Sequence, residues 1–127
     1  MDTLANALNA IKVAEAKGRA QAKVKPASKL VKEVLSIMQQ EGFIQGFEFI
    51  DDGKSGEILV RLVGKINNVG VVKPRLSLKK GEWEKWEQRY LPARDVGRII
   101  VSTPKGITTH VKAKQEGAGG RLLAFVY

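Results

Sequence analysis

An α+β fold in two small packed lobes is predicted by three features of this 127-residue chain. Helical and two-residue apolar periodicities alternate along it, two apolar strand segments flank the turn-rich run 51–56, and the run Gly64-Lys65-Ile66-Asn67-Asn68-Val69-Gly70 interrupts the strand pattern midway. The length suits one ordinary domain or two small lobes. The expected division is an N-terminal α-β-α-β-β lobe over residues 1–66 and a C-terminal, mostly β lobe with one helix over residues 67–127.

Leu4, Leu8 and Ile11 follow helical spacing, so residues 3–17 read as an amphipathic helix with Asp2 or Thr3 as its cap and Gly18 as its stop. Residues 19–25 alternate strictly, which places Ala20, Ala22 and Val24 on one face of a half-solvated strand that Pro26 ends. Ser28 caps a second helix whose buried stripe is Leu30, Val31, Val34, Leu35 and Met38, and Gly42 closes it. Residues 43–50 and 57–63 form a hairpin. Past Asn67, residues 71–78 read as a strand that Pro74 confines to an edge or a bulge. Trp83, Trp86 and Tyr90 fall at spacings of three and four, which suggests a short helical turn between residues 81 and 91. A strand over 98–101, a loop from Ser102, a helix over 109–116 and a strand over 122–127 complete the chain.

The net charge is +9 and unevenly spread. Residues 1–33 hold seven Lys/Arg against three Asp/Glu, residues 34–66 three against five, and residues 67–127 twelve against five. Two basic regions flank a mildly acidic middle, which points to a polyanionic partner, because Lys and Arg near phosphates release condensed counterions. With no cysteine and one histidine, neither a disulfide framework nor a usual zinc set is available, and no cofactor is expected. No apolar run approaches the roughly 18–20 residues of a spanning helix, and the N-terminal run lacks the basic-then-apolar plan of a secretory signal. A cytoplasmic protein is expected, with no membrane and no small-molecule substrate.

The segment Ile99-Ile100-Val101-Ser102-Thr103-Pro104-Lys105-Gly106 delivers two hydroxyls, a proline, a lysine and a glycine from an apolar strand. Ser102 as a nucleophile with His110 as its base is a poor fit: the glycines of a nucleophile elbow are missing, and His110 is expected exposed in a first helical turn. Gly64-Lys65 lacks the upstream glycine of a P-loop, and the run 117–120 follows a helix and opens a strand, the reverse of a dinucleotide fingerprint. RNA asks for what the segment offers. Hydroxyls of Ser102 and Thr103 reach base edges and 2′-hydroxyls, Gly106 lets backbone approach phosphate, and Lys105 supplies a point charge. The same hydroxyls also suit a hydrogen-bonded turn, and spacing leaves both readings open. Gly119 and Gly120 read as a helix stop and a turn that RNA backbone could approach closely. Trp83 and Trp86 suit packing better than base stacking. Lys12, Lys17, Arg19, Lys23, Lys25, Lys29 and Lys32 form a second anionic contact surface or a solvated face.

A whole-chain likeness narrows these choices. Asp2-Thr3-Leu4-Ala5-Asn6-Ala7-Leu8-Asn9, Pro26-Ala27-Ser28-Lys29-Leu30, Glu41-Gly42-Phe43-Ile44, Val101-Ser102-Thr103-Pro104-Lys105-Gly106 and Gly119-Gly120-Arg121-Leu122-Leu123-Ala124-Phe125-Val126-Tyr127 resemble the family of protein eight of the small ribosomal subunit. Arg89-Tyr90-Leu91-Pro92-Ala93-Arg94-Asp95-Val96-Gly97 is similar to its archaeal and eukaryotic branch. The resemblance implies a two-lobe, non-enzymatic constituent of the small subunit that binds the central domain of its ribosomal RNA, supports assembly and adjoins other ribosomal proteins. It also implies RNA contacts at Ser102, Thr103, Lys105, Gly106, Gly119 and Gly120, then at Thr3, Asn6, Lys12, Ser28 and Lys29. Pro104 stands where many members carry a third hydroxyl. The alternatives are a free-standing RNA chaperone or regulator, and a small serine hydrolase using Ser102.

Overall fold

The computed structural model describes residues 3–25, 28–51, 53, 56–73, 77–79, 81–93 and 96–127. The expectations for Asp2 as a cap, Pro26 as a strand stop, Asp52, Lys54 and Ser55 in the hairpin tip, and Pro74 as an edge or bulge concern positions outside the described residues. The chain forms two compact units, Met1–Gly70 and Val71–Tyr127. It is an α+β protein with two antiparallel sheets.

The first unit runs α1 (Thr3–Ala16), β1 (Gln21–Val24), α2 (Lys29–Gln40), β2 (Ile44–Ile50) and β3 (Glu57–Leu62). Its sheet has the order β1-β3-β2, so the hairpin partner β3 is central. α1 packs on β1, α2 on β2, and the helices touch each other. The apolar spacing explains this layer: Leu4, Leu8 and Ile11 of α1 and Val31, Val34, Leu35 and Met38 of α2 are buried, as are Ala22, Val24, Ile58 and Val60 of the sheet. Each such Val, Leu or Ile contributes about 1.5–3 kcal/mol relative to exposure. Ser28 caps α2 by accepting a hydrogen bond from the Val31 amide at 3.2 Å. At the hairpin tip the Asp51 carboxylate accepts from the Gly53 amide at 2.9 Å. Two expected core residues differ. Ala20 lies exposed at the edge of the ladder, where the Leu62 amide donates to its carbonyl at 2.8 Å, and Leu30 is half-buried because it sits in the first turn of α2, at the rim of the stripe.

The second sheet gathers β4 (Val69–Val71), β5 (Ser77–Leu78), β6 (Arg98–Thr103), β7 (Gly106–Thr109) and β8 (Gly120–Val126). Its order is β4-β8-β6-β7, with β5 also paired to β8. The single strand expected over 71–78 is therefore two short ones, and the Val72 amide reaches the Leu123 carbonyl at 3.0 Å between them. Beside the expected helix, α4 (His110–Gln115), the short helical turn expected between residues 81 and 91 is a second full helix, α3 (Trp83–Tyr90). Trp83 anchors α3: its side chain joins a core of Val72, Leu78, Leu91, Ile99, Val101, Ala113 and Leu122, and its indole N–H donates to the Ala118 carbonyl at 3.2 Å. That burial holds an amphipathic eight-residue segment as a helix, since so short a helix is marginal by itself.

Gly117, not Gly119, stops α4, with φ +66 and the Ala118 amide donating back to the Ala113 carbonyl at 2.9 Å. Gly97 has φ +83, and a Cβ there would lie 2.6 Å from Tyr127 Cβ and 2.7 Å from the Val126 carbonyl oxygen. Backbone strain and overlap with main chain coincide at this position. Gly97→Ala is expected to lower unfolding free energy by about 2–4 kcal/mol in urea titrations. Gly46→Ala, whose Cβ would meet only the Gln39 side chain at 3.8 Å, should stay within about 0.5 kcal/mol of the parent.

Candidate nucleic-acid interface

Ser102 and Thr103 are the last residues of β6, not a loop. They pair with Ile107 and Gly106 of β7, which the sequence pattern did not reveal, so Pro104 and Lys105 alone make the turn of a hairpin. Pro104 fixes φ near −65°, which excludes the primed turns that two-residue hairpins prefer. Gly106 absorbs the mismatch with φ +122, and the Thr103 hydroxyl ties the ends, donating to the Gly106 carbonyl at 3.0 Å and accepting from the Lys105 amide at 3.2 Å. Thr103 is buried and its hydroxyl serves the turn, while Lys105 and Gly106 are exposed at the tip.

Ser102 lies on the opposite face. The strand register sets Ile107, Ser102, Arg121 and Ser77 side by side across β7, β6, β8 and β5. Register partners project from one face of a sheet, so these four form a transverse row. Ser77 and Arg121 are exposed, and Ser102 and Ile107 are half-buried. Among the described residues no hydrogen bond engages the Ser102 side chain. Arg121 and Ser77 were missed as site residues because they lie 19 and 25 positions from Ser102, and only the register brings them beside it.

Gly120 controls how closely β8 approaches this row. A Cβ there would stand 2.8 Å from the Ser102 carbonyl oxygen and 3.4 Å from Thr103 Cγ2, so a side chain would push β8 off β6. Gly119 is half-buried immediately before β8. The structure thus brings together Ser102, Thr103, Lys105, Gly106 and Gly120.

In the first unit the expected contacts are more dispersed. Asn6 and Lys12 of α1 are exposed and Thr3 is half-buried. At 100° per residue Thr3 and Lys12 point to opposite sides of α1, with Asn6 on the solvent side between them. Ser28 spends its hydroxyl on the α2 cap, and Lys29 is exposed beside it. Of the other cations, Lys25 pairs with Glu57 at 3.1 Å and Lys32 covers the Phe49 ring at 4.2 Å, while Arg19 and Lys23 flank a groove that also holds Val13, Ala22 and Leu59.

His110, expected exposed, is buried. The β7 ladder ends at Thr109, whose hydroxyl caps α4 through the Lys112 amide at 3.3 Å, and the next residue swings its ring under β6. The Ile99 amide donates to His110 Nδ1 at 3.0 Å, so the ring proton sits on Nε2, 3.4 Å from Glu87 Oε1. Lys114 Nζ holds the same oxygen at 2.7 Å. Both ring nitrogens are thereby engaged away from Ser102, and the hydrolase reading loses its base. Burial lowers the His110 pKa from its ordinary 6.5, Glu87 opposes that shift, and Lys114 and Arg98 reinforce it. Because the folded protein binds this proton less readily than the unfolded chain, stability is full above pH 6.5 and declines as pH falls below it. Urea midpoints should therefore drop between pH 7.5 and pH 5.5, and His110→Gln, which keeps an acceptor and a donor without titrating, should flatten that dependence.

Among the described residues no cluster of three or more His, Cys, Asp or Glu is placed to hold a metal, and no helix is long and apolar enough to cross a membrane. The family model for ribosomal protein S8 matches residues 2–127. That match spans both units, including the Ser102 hairpin and the strand that carries Gly120 and Arg121, and the chain belongs to the ribosomal protein S8 family.

Proposed function

We propose that this small-subunit ribosomal protein grips an irregular helix in the central domain of the ribosomal RNA with the Ser102 face of its second unit, and that it thereby supports subunit assembly. The observation that carries the reading is the row Ser77–Arg121–Ser102 beside a turn stiffened by Pro104 and Thr103. Ser102 presents a hydroxyl to a base edge or 2′-hydroxyl, and Arg121 and Lys105 neutralise phosphates on either side of it. Thr103 and Gly106 act by holding the tip in shape. Gly119 and Gly120 leave room for backbone, and Gly120 sets the spacing of Ser102 from Arg121. A preformed surface of this kind selects RNA by its distortion, since side chains cannot read the deep groove of a regular RNA duplex.

Thr3, Asn6, Lys12, Ser28 and Lys29 supply a second contact from the first unit, in which charge adds affinity more than selectivity. The segment 89–97 favours the archaeal and eukaryotic branch of the family. Other small-subunit proteins adjoin it in the cytoplasmic ribosome, and no reaction is catalysed.

A central-domain RNA fragment titrated against a regular duplex of equal length, across a salt series, tests this reading. The fragment should bind far more tightly. Ser102→Ala should weaken its binding by about 1 kcal/mol with an unchanged salt slope, while Lys105→Ala and Arg121→Gln each flatten the slope by about one phosphate contact. Equal affinity for both RNAs, or parental binding by all three variants, would discard it.

A further inference from the structure

Helix α3 sorts its side chains by kind around its axis. Trp83, Tyr90 and Glu87 point inward, Glu84 and Gln88 follow on one flank, and Trp86, Arg89 and Lys85 occupy the other at 100° per residue, with the Trp86 and Tyr90 rings packed against the core edge. The acidic flank lines a cleft of about 460 Å³ with Leu91, His110 and Lys114, where Glu87 already holds Lys114 at 2.7 Å. The other flank starts a row of four half-buried rings. Trp86 and Tyr90 have centroids 6.4 Å apart and planes 21° apart, Tyr90 and Phe125 are 5.6 Å and 29° apart, and Phe125 and Tyr127 are 6.2 Å and 22° apart. Arg89 Cζ lies 5.3 Å from the Trp86 ring and 5.8 Å from Tyr90, and Lys85 Nζ lies 5.5 Å from Trp86. Among the described residues neither cation pairs with a carboxylate.

We propose that the Trp86–Tyr90 flank of α3 is a stacking platform for an unpaired RNA base, with Arg89 and Lys85 neutralising the phosphates beside it. This rests on the RNA-binding reading but assigns a contact separate from the Ser102 row. A surface that merely covers the core would not need two exposed cations over its outermost ring. Aromatic faces bordered by Arg and Lys are what a single strand requires, because every base has a π-face and every linkage a charge. Residues 71–127 hold twelve Lys/Arg against five Asp/Glu, which favours a polyanion over a protein segment as the occupant. The acidic flank sets the direction: RNA is repelled from the Glu84 side and held on the Arg89 side.

The test is titration of the full chain with oligoadenylate nine nucleotides long, read by tryptophan emission and by anisotropy of labelled RNA. Trp83 is buried, so the emission change should belong to Trp86 and vanish in Trp86→Phe, which still binds. Trp86→Ala should weaken binding on the order of tenfold, and Arg89→Gln several-fold with a flatter salt slope. If Trp86→Ala fails to fold, Arg89→Gln decides, and parental affinity in that variant overturns the platform. An emission change that survives Trp86→Phe overturns it too. No response to oligoadenylate alongside tight binding of the central-domain fragment removes the platform alone and leaves the row to a protein partner. Failure of both RNAs removes the RNA reading and the platform together.

Discussion

The second unit depends on one buried hydrogen bond, from the Ile99 amide to His110 Nδ1. β6 outruns its neighbour: pairing with β7 ends at Ile100 and Thr109, where the chain turns into α4. The Ile99 amide would then be buried without a partner, at a cost of roughly 1–3 kcal/mol. The imidazole takes the place of the missing strand and in doing so commits its other nitrogen to Glu87 of α3, which also draws in Lys114. One ring thus ties the central strand to both helices of the unit.

The candidate interface uses this rigidity. Ser102 stands at the end of a strand whose preceding residues Ile99, Ile100 and Val101 are all buried, so its position follows from the core. Thr103 immobilises the turn, and Gly120 lets β8 close to van der Waals distance of the Ser102 backbone. The division of labour follows from the physics of each group. In the proposed RNA contact, cations at the tip and on β8 would supply attraction that salt screens, and a hydroxyl held by a stiff frame would supply selection that salt does not.

What could be read in advance was what periodicity encodes locally. Leu4, Leu8 and Ile11, the α2 stripe from Val31 to Met38, the Ser28 cap and the hairpin of β2 and β3 all follow from neighbours within a few positions. Where the reading failed, a distant partner had decided. β7 carries too few apolar residues to look like a strand and exists because β6 offers it an edge. The spacings of Trp83, Trp86 and Tyr90 did mark a helical turn at α3, and burial of Trp83 carries it to a full helix. His110 looked solvent-facing because nothing nearby in the chain announces an orphaned amide eleven positions upstream.

The amino-acid sequence by itself determined the α+β class, the basic character, the N-terminal elements and the family likeness, since these rest on residue type and short-range spacing. It also offered Ser102, Thr103, Lys105 and Gly106 as candidate contacts. Tertiary structure alone decided that the Thr103 hydroxyl faces the turn, that Ser102 aligns with Arg121 and Ser77, and that His110 is buried. Strand register and burial are set by contacts between residues far apart in the chain, and a one-residue shift would reverse which side chains share a face.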